Sequence, residues 1–178
     1  MRAAEGELMV GDRVALRAPR LSDAEPLFAS ITSDPNVARF LSWTPHPDVD
    51  ETRRVITELF NVGGDQTWVV VLGDSEEIIG QIGCRRLQPH ATELGYCLAT
   101  RWWGCGLMSE AVAVIMRRLQ QDSRVYRVEA VCHVDNARSA RVLEKCGLSL
   151  EGRMVRHTVF PNLGSEPQDC LLYARAMR

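Results

Sequence analysis

One stretch near the middle of the chain constrains the fold more than any other, because a strand-like run, a glycine-bearing turn and a helix-like run follow one another directly. The runs cover residues 93–98 and 107–116, and the turn between them carries Gly104 and Gly106. A turn that feeds a helix N-terminus directs unpaired backbone N–H groups at one spot, where the helix dipole adds partial positive charge. Such a spot suits an anion, above all a phosphate, and glycines keep Cβ atoms away from it. Arg101 adds a full positive charge at the edge of the turn.

The turn alone has two interpretations, a phosphate site or a tight strand-to-helix connection. Two familiar phosphate motifs are absent from the sequence. It contains no Gly-x-x-x-x-Gly-Lys-Ser/Thr, which argues against a P-loop. The dinucleotide-binding fingerprint needs a third glycine three residues after Gly106, where this chain has Ser109.

A second motif, residues 136–148, follows about thirty residues after the turn. Asn136 and Ser139 open a helix-like run that Lys145 and Gly147 close, with Gly147 in the position of a C-terminal cap. Asn136 can cap this helix through its side chain. The helix therefore begins with polar side chains that could also meet a ligand.

Together the two motifs resemble the GNAT superfamily of acyl-CoA-dependent N-acetyltransferases. The family's Gln/Arg-x-x-Gly-x-Gly/Ala is matched from Arg101 to Gly106, and its Asn-x-x-Ser/Ala from Asn136 to Ser139. Leu148 stands where the family's Lys-x-Gly-Phe ends on Phe. The strand 93–96 and the segment 43–46 are similar to the branch of ribosomal-protein N-terminal acetyltransferases, the RimJ/RimL type. The resemblance runs from about residue 14 to 177 and is strongest over 93–148.

The hydrophobic pattern predicts alternating strands and helices, and hence an α/β fold of the α+β type with a mixed sheet flanked by helices. Ser22 and Glu25 are expected to form a capping box at the first helix, and Asp48 or Asp50 to cap a helix that runs through Phe60. The resemblance implies the GNAT fold, a largely antiparallel sheet whose one central parallel pair splays apart to admit the cofactor. We expect a single domain over 1–178 with its core at about 14–177. Strands are predicted at 14–17, 67–72, 77–87, 92–98, 126–133, 148–158 and 169–177. Further helices are predicted at 107–121 and 136–145, and a short one is predicted to start at 34–36.

Composition narrows the class of protein. A net charge of −2 argues against a general nucleic-acid binder, although arginines clustered at 117–118, 138–141 and 153–156 leave room for a local basic patch. No run is long and apolar enough to span a membrane, and residues 1–7 lack the apolar core of a signal peptide, so a cytoplasmic chain is expected. The six cysteines form no Cys-x-x-Cys pair and the four histidines show no ligand spacing, so no metal site is expected.

The resemblance implies acetyl-CoA as the acetyl donor. Its pyrophosphate would rest on the backbone N–H groups of residues 103–108, its pantetheine arm would pair with the edge of the strand 97–99, and Asn136 would contact that arm. The cofactor-binding residues are then expected to be Cys97, Leu98, Ala99, Arg101, Trp103, Gly104, Cys105, Gly106, Leu107, Met108, Asn136 and Ser139.

Two side chains are candidates for proton transfer. Glu93 lies where several superfamily members have a catalytic glutamate, and strand alternation places it on one face with Gly95 and Cys97. A half-buried carboxylate there could have a raised pKa and act as the general base, or it could simply be exposed or paired with an arginine. Ser139 is the candidate for protonating the departing thiolate, since Leu143 occupies the position where many members have a tyrosine. Water could replace either group.

The sequence says less about the amine that would accept the acetyl group. Trp43, His46, Trp102 and the loop 160–168 are candidates for its pocket, and Glu151 or Asp169 could bind a cationic amine. We expect acetylation of a protein or peptide N-terminal amine, with a polyamine, amino acid or aminoglycoside as the alternative. A non-catalytic acyl-CoA sensor and a binder of another nucleotide are competing functions. Strands near the C-terminus could pair in a homodimer.

Overall fold

A computed structural model describes residues 8–178 and shows an eight-stranded mixed sheet. The strands lie in the order β1-β2-β3-β4-β5-β6-β8-β7, and every neighbouring pair is antiparallel except β5 with β6. The predicted fold class is therefore confirmed. Residues 1–7, on which the expectation about a signal peptide rests, lie outside the described part. The strands are β1 (Met9–Val10), β2 (Val14–Arg17), β3 (Gln66–Leu72), β4 (Glu77–Gln88), β5 (Ala91–Leu98), β6 (Arg127–His133), β7 (Ser149–Val159) and β8 (Pro167–Ala176).

Helices cover both faces of the sheet, and strand alternation determines which side chains each face buries. On one face α4 (Leu107–Gln121) and α5 (Ala137–Lys145) pack on a core that includes Leu16, Trp68 and Val70. On the other face the strands present Val69 and Val71 to the N-terminal helices. Those helices are α1 (Ala24–Leu27), α2 (Pro35–Ala38) and α3 (Val49–Glu58), with a 3-10 turn (Leu21–Asp23) before α1 and a π-helical turn (Phe28–Thr32) after it.

The first helical segment is capped differently from the sequence prediction. The predicted capping box of Ser22 and Glu25 is wrong, because the carboxylate of Asp23 accepts the backbone N–H of Arg20 at 2.7 Å. Asp23 is buried and also receives both terminal nitrogens of Arg17. The ion pair makes Asp23 the better acceptor. Farther along, Asp48 caps α3 as predicted, and this helix ends at Glu58 rather than Phe60.

The parallel pair β5–β6 is short, and this creates the opening in the sheet. Only three residue pairs are in register, from Ala91 with Arg127 to Glu93 with Glu129. Beyond them β5 stays paired with β4 up to Leu98, while β6 stays paired with β8 up to His133. The two strands therefore part in the middle of the sheet, as the predicted splay requires. Among the described residues, no helix is both long and apolar enough to cross a membrane.

Candidate active site

A cavity of about 570 Å³ lies where β5 and β6 part. Its wall is formed by α2 with the segment after it, the end of β5, the glycine turn before α4, and one side of α5. The two sequence motifs, far apart in the chain, thus face each other across one cavity. Of the twelve predicted cofactor-binding residues, the nine that line it are Cys97, Leu98, Trp103, Gly104, Gly106, Leu107, Met108, Asn136 and Ser139.

The glycine turn has the left-handed backbone that its sequence makes possible. Gly104 has φ 80° and Gly106 φ 79°, values that glycine adopts without strain. A Cβ would meet nothing within 4 Å at Gly104 and only Arg13 Nη2, at 3.5 Å, at Gly106. Backbone conformation, more than space, therefore requires glycine at both positions. Arg13 also donates to the carbonyl of Cys105 at 3.2 Å, which ties the turn to the residue before β2.

The end of β5 presents to the cavity a backbone edge that β4 does not occupy. The N–H of Ala99 donates to the carbonyl of Ile79 beside β4, and successive strand residues direct their backbone groups to opposite sides. Leu98 therefore points its N–H and carbonyl away from β4, toward the opening. The indole N–H of Trp103 donates to the Leu98 carbonyl at 2.8 Å, which fixes the turn against this edge. An extended ligand could pair with the backbone of Leu98, as an added strand would.

Asn136 is a helix cap whose amide also faces the cavity. Its side-chain oxygen accepts the N–H of Ser139 at 3.2 Å, so it is the N-cap of α5. It also lines the cavity. Among residues 8–178 its side-chain amide nitrogen has no protein partner, which leaves two N–H donors for a ligand.

Ser139 and Tyr96 form a hydrogen-bonded pair within the cavity wall. The two hydroxyl oxygens lie 2.9 Å apart, and the Tyr96 hydroxyl also lies 3.3 Å from the Ser139 carbonyl. Burial raises the pKa of Tyr96 above its ordinary value, although its hydrogen bond with Ser139 opposes the shift. The phenol therefore stays protonated at neutral pH and can hold the serine hydroxyl in place. Nothing in the sequence indicated that Tyr96 takes part in the site.

Four predicted residues lie off the cavity wall. Glu93 on β5 forms an ion pair with Arg85 on β4, and its Oε2 lies 2.5 Å from Nη2 of the arginine. The pairing with an arginine that was considered for Glu93 is therefore present. Arg101 pairs with Glu77 instead of facing the cavity. The remaining two, Ala99 and Cys105, border the wall through neighbouring residues without lining it.

Of the segments that the sequence predicts for an acceptor pocket, part lines this cavity and part lies behind it. Trp102 lines the cavity, and Asn162 in the loop 160–168 donates to the carbonyls of Ala38 and Trp43 at 2.7 and 2.8 Å. The loop is thereby fastened to the segment that follows α2. His46 lies farther back, its Nδ1 2.8 Å from the Thr52 hydroxyl, and burial lowers its pKa.

An aromatic cluster that the sequence did not predict supports this side. The ring of His133, the last residue of β6, stacks on Phe40 with centroids 4.9 Å apart and meets Phe160 edge-on at 5.1 Å.

Glu151 and Asp169, considered as amine binders, are instead paired with Arg127 and Arg153. Neither carboxylate is free to hold a substrate cation.

The charge of the cavity wall has one sign. Arg39, Arg138, Arg141 and Lys145 line the cavity, and no carboxylate does among the residues described. The three cations on α5 were missed as site residues, although their spacing of three and four residues places them on one helix face. In residues 8–178, no group of three or more His, Cys, Asp or Glu side chains is arranged to hold a metal ion.

The chain is similar in sequence to known acetyltransferases. The family described as acetyltransferase (GNAT) domain matches residues 13–149. The chain is 28% identical to the uncharacterized N-acetyltransferase p20 of Bacillus licheniformis over 151 residues, 82% of this chain and 84% of that protein. It is 26% identical to the ribosomal-protein-serine acetyltransferase of Escherichia coli K12 over 175 residues, 94% and 95% of the two chains.

A solved structure has the same fold. RimL, the ribosomal L7/L12 α-N-protein acetyltransferase in complex with coenzyme A, aligns with a TM-score of 0.84 at 23% identity, over 96% of this chain and 98% of RimL. The family match covers most of the chain, including both motifs that border the cavity. The chain therefore belongs to the GNAT acetyltransferase family and is an N-acetyltransferase.

Proposed function

We propose that this N-acetyltransferase binds acetyl-CoA in the cavity between β5 and β6 and transfers the acetyl group to the N-terminal amine of a protein or peptide. The observation that carries the proposal is the composition of the cavity wall. Four cationic side chains and a glycine turn at a helix N-terminus line it, and among the described residues no carboxylate does. Such a wall suits a long, phosphate-bearing donor and an acceptor that is not a polycation.

The residues present fit acetyl-CoA. The backbone N–H groups at the start of α4 would hold the pyrophosphate, with Gly104 and Gly106 allowing its close approach. The backbone edge at Leu98 and the free amide of Asn136 would hold the pantetheine arm. Acetyl-CoA supplies an activated thioester. Bound along this edge, the thioester carbonyl could receive a hydrogen bond from the Leu98 N–H as negative charge develops on its oxygen.

The absence of a carboxylate from the described wall bears on the acceptor. A polyamine or an aminoglycoside carries several positive charges, which the wall would repel and which Glu151 and Asp169, already paired, would not balance. A protein N-terminal amine has an ordinary pKa of about 7.7–8.0, against about 10.4 for lysine. A large fraction is thus neutral near pH 7.5 without help from a strong base. The E. coli relative, named for acetylating a ribosomal-protein serine, supports the same substrate class.

The transfer needs few protein groups. The neutral amine attacks the thioester carbon, the C–N bond forms, the C–S bond breaks, and the nitrogen loses one proton while the thiolate gains one. Ser139 would donate to the thiolate, and Tyr96 would keep the serine hydroxyl in position. Glu93 would receive the amine's proton only through intervening water, because it lies off the cavity wall and is paired with Arg85.

The test is acetyl transfer from acetyl-CoA to a peptide with a free N-terminus. Three comparison substrates are used. The first is the same peptide with its N-terminus formylated, so that an internal lysine is its one free amine, and the others are spermidine and a free amino acid. We expect turnover of the free N-terminus alone. Faster turnover of spermidine or of the amino acid would replace the proposed acceptor, and absence of turnover with every amine tried would refute the assignment of this cavity to amine acetylation.

Two variants test the residue roles. Ser139→Ala should lower kcat by roughly 10-fold to 100-fold and leave the affinity for CoA unchanged. This loss is at or below the low end of the range for general acid catalysis, because water can also protonate the thiolate. Glu93→Gln should lower it less if water alone serves as the base. A loss of CoA affinity in Ser139→Ala that matches the loss in rate would show that the serine binds the donor and does not donate a proton.

A further inference from the structure

Three cations on one face of α5 stand out because they lack anionic partners. Arg138, Arg141 and Lys145 are exposed, and all three line the cavity. Within residues 8–178, no carboxylate forms an ion pair with any of them. Most other arginines of the described chain are paired with Asp or Glu, for example Arg127, which contacts both Glu129 and Glu151. This cationic stripe, residues 138, 141 and 145, therefore has unused binding capacity where a ligand would enter.

Like charges spaced three and four residues apart on a helix repel each other, so the stripe is unfavourable while no anion balances it. Its position relative to the glycine turn suggests which anion does. The guanidinium of Arg138 lies over the ring of Trp103, 4.5 Å from its centroid, and Trp103 belongs to the turn. Arg138 thus joins α5 to the turn expected to hold the pyrophosphate. Arg141 and Lys145 lie about one and two helical turns farther along α5.

We propose that the cationic stripe binds the 3′-phosphate on the ribose of coenzyme A and so makes the enzyme select CoA over its 3′-dephosphorylated form. The proposal rests on the proposed function, since it places acetyl-CoA in this cavity. The α4 N-terminus already offers backbone N–H groups for the pyrophosphate, and the 3′-phosphate is the one further anionic group of the molecule. Arg141 and Lys145 would contact it directly, while Arg138, stacked on Trp103, would border both phosphate sites.

An acidic protein partner is the competing occupant of a cationic helix face. The positions of the three side chains favour a small ligand, because all three belong to the wall of the same cavity as Gly104 and Asn136. A phosphate also matches the chemistry of two long cations that can converge on one group with several oxygens. The two occupants predict different results when the ligand is changed by a single phosphate.

The experiment measures the dissociation constants of CoA and 3′-dephospho-CoA by calorimetry for the parent enzyme and for the double variant Arg141→Gln, Lys145→Gln. For the parent we expect CoA to bind about 10-fold to 100-fold more tightly, the effect of one or two charge-assisted hydrogen bonds. The double variant should bind the two ligands nearly equally, with its affinity for 3′-dephospho-CoA unchanged. The parent's preference should also shrink at higher salt.

The matched control is Arg117→Gln, which removes an exposed cation from α4 that does not line the cavity and should leave the ratio intact. Equal binding of the two ligands by the parent overturns the proposal. An equal loss of both ligands in the double variant also overturns it, because it indicates a general electrostatic effect on the ligand and no specific contact with the 3′-phosphate. Binding of neither ligand by the parent refutes the proposed function itself, a result distinct from either of these.

Discussion

The glycine turn allows a quantitative test, because its two glycines share a backbone conformation but differ in their surroundings. Replacing Gly104 with Ala adds a methyl group that meets nothing within 4 Å, and at Gly106 the methyl group makes only an ordinary contact with Arg13. Neither change creates a clash, so the cost should come from φ values of 80° and 79°. A non-glycine residue held in the left-handed region costs about 1–2 kcal/mol. We expect each variant to lose that much free energy of unfolding.

The assay is urea unfolding of the parent and of Gly104→Ala, Gly106→Ala and Gly95→Ala, with thermal melting as a second measure. A loss of about 1–2 kcal/mol should lower Tm by roughly 2–8 °C in a chain of this size. Gly95 is the control, because it lies in β5 without a positive φ and its added methyl group would also meet nothing. Its variant should match the parent or exceed it slightly. Equal stability of Gly104→Ala and Gly95→Ala would refute the attribution to backbone strain.

Two further predictions concern the support of the turn and the thiols. Glu110 accepts the backbone N–H groups of exposed Arg13 and buried Val14, so Glu110→Ala should cost about 1–3 kcal/mol in urea unfolding, because the buried Val14 donor loses its acceptor while water can reach the donor of Arg13. Burial raises the pKa of Glu110, but the hydrogen bonds from Arg13 and Val14 outweigh burial and lower this pKa overall. The parent should therefore have a larger free energy of unfolding than Glu110→Gln above pH 4.5, and the difference should fade as the pH falls below 4.5. A difference that stayed constant down to pH 2 would contradict this. Iodoacetamide at pH 8 should modify exposed Cys105 first and leave Cys84 and Cys97, whose pKa burial raises to about 12, unmodified until unfolding, as peptide mass spectrometry would show. Rapid native labelling of Cys84 would refute the burial.

Much of the fold could be predicted from local sequence signals. The continuous apolar run of β3, the alternation in β5 and the helical period of α4 are strong patterns, and the order of elements then leaves few arrangements of the sheet. The cap of the first helical segment could not be predicted, since Ser22 and Asp23 are both good local acceptors. Only Arg17, brought close by β2, makes Asp23 the better one.

The features of the site also divide into those that local sequence predicts and those that depend on distant residues. Backbone features, such as the glycine turn and the N-cap at Asn136, follow from residues close together in sequence, and both lie on the cavity wall. Side chains with a choice of partner were not predictable, because the choice depends on neighbouring strands. Arg101 forms an ion pair with Glu77 on β4, and Glu93 forms one with Arg85. The role of Tyr96 depends on the helix α5 that follows it by more than forty residues.

Glu93 also has a physical consequence that is independent of proton transfer. In the parallel pair it lies beside Glu129, the last pair in register before β5 and β6 separate. Two carboxylates side by side on neighbouring strands repel each other. Glu93 is balanced by Arg85 on β4 and Glu129 by Arg127 on its own strand, so each ion pair offsets part of this repulsion. Loss of either Glu93 or Arg85 therefore changes the charge balance where β5 and β6 part, whatever the carboxylate does in proton transfer. A loss of activity in Glu93→Gln is therefore evidence for a base only if Arg85→Gln, which removes the same ion pair but keeps the carboxylate, remains active.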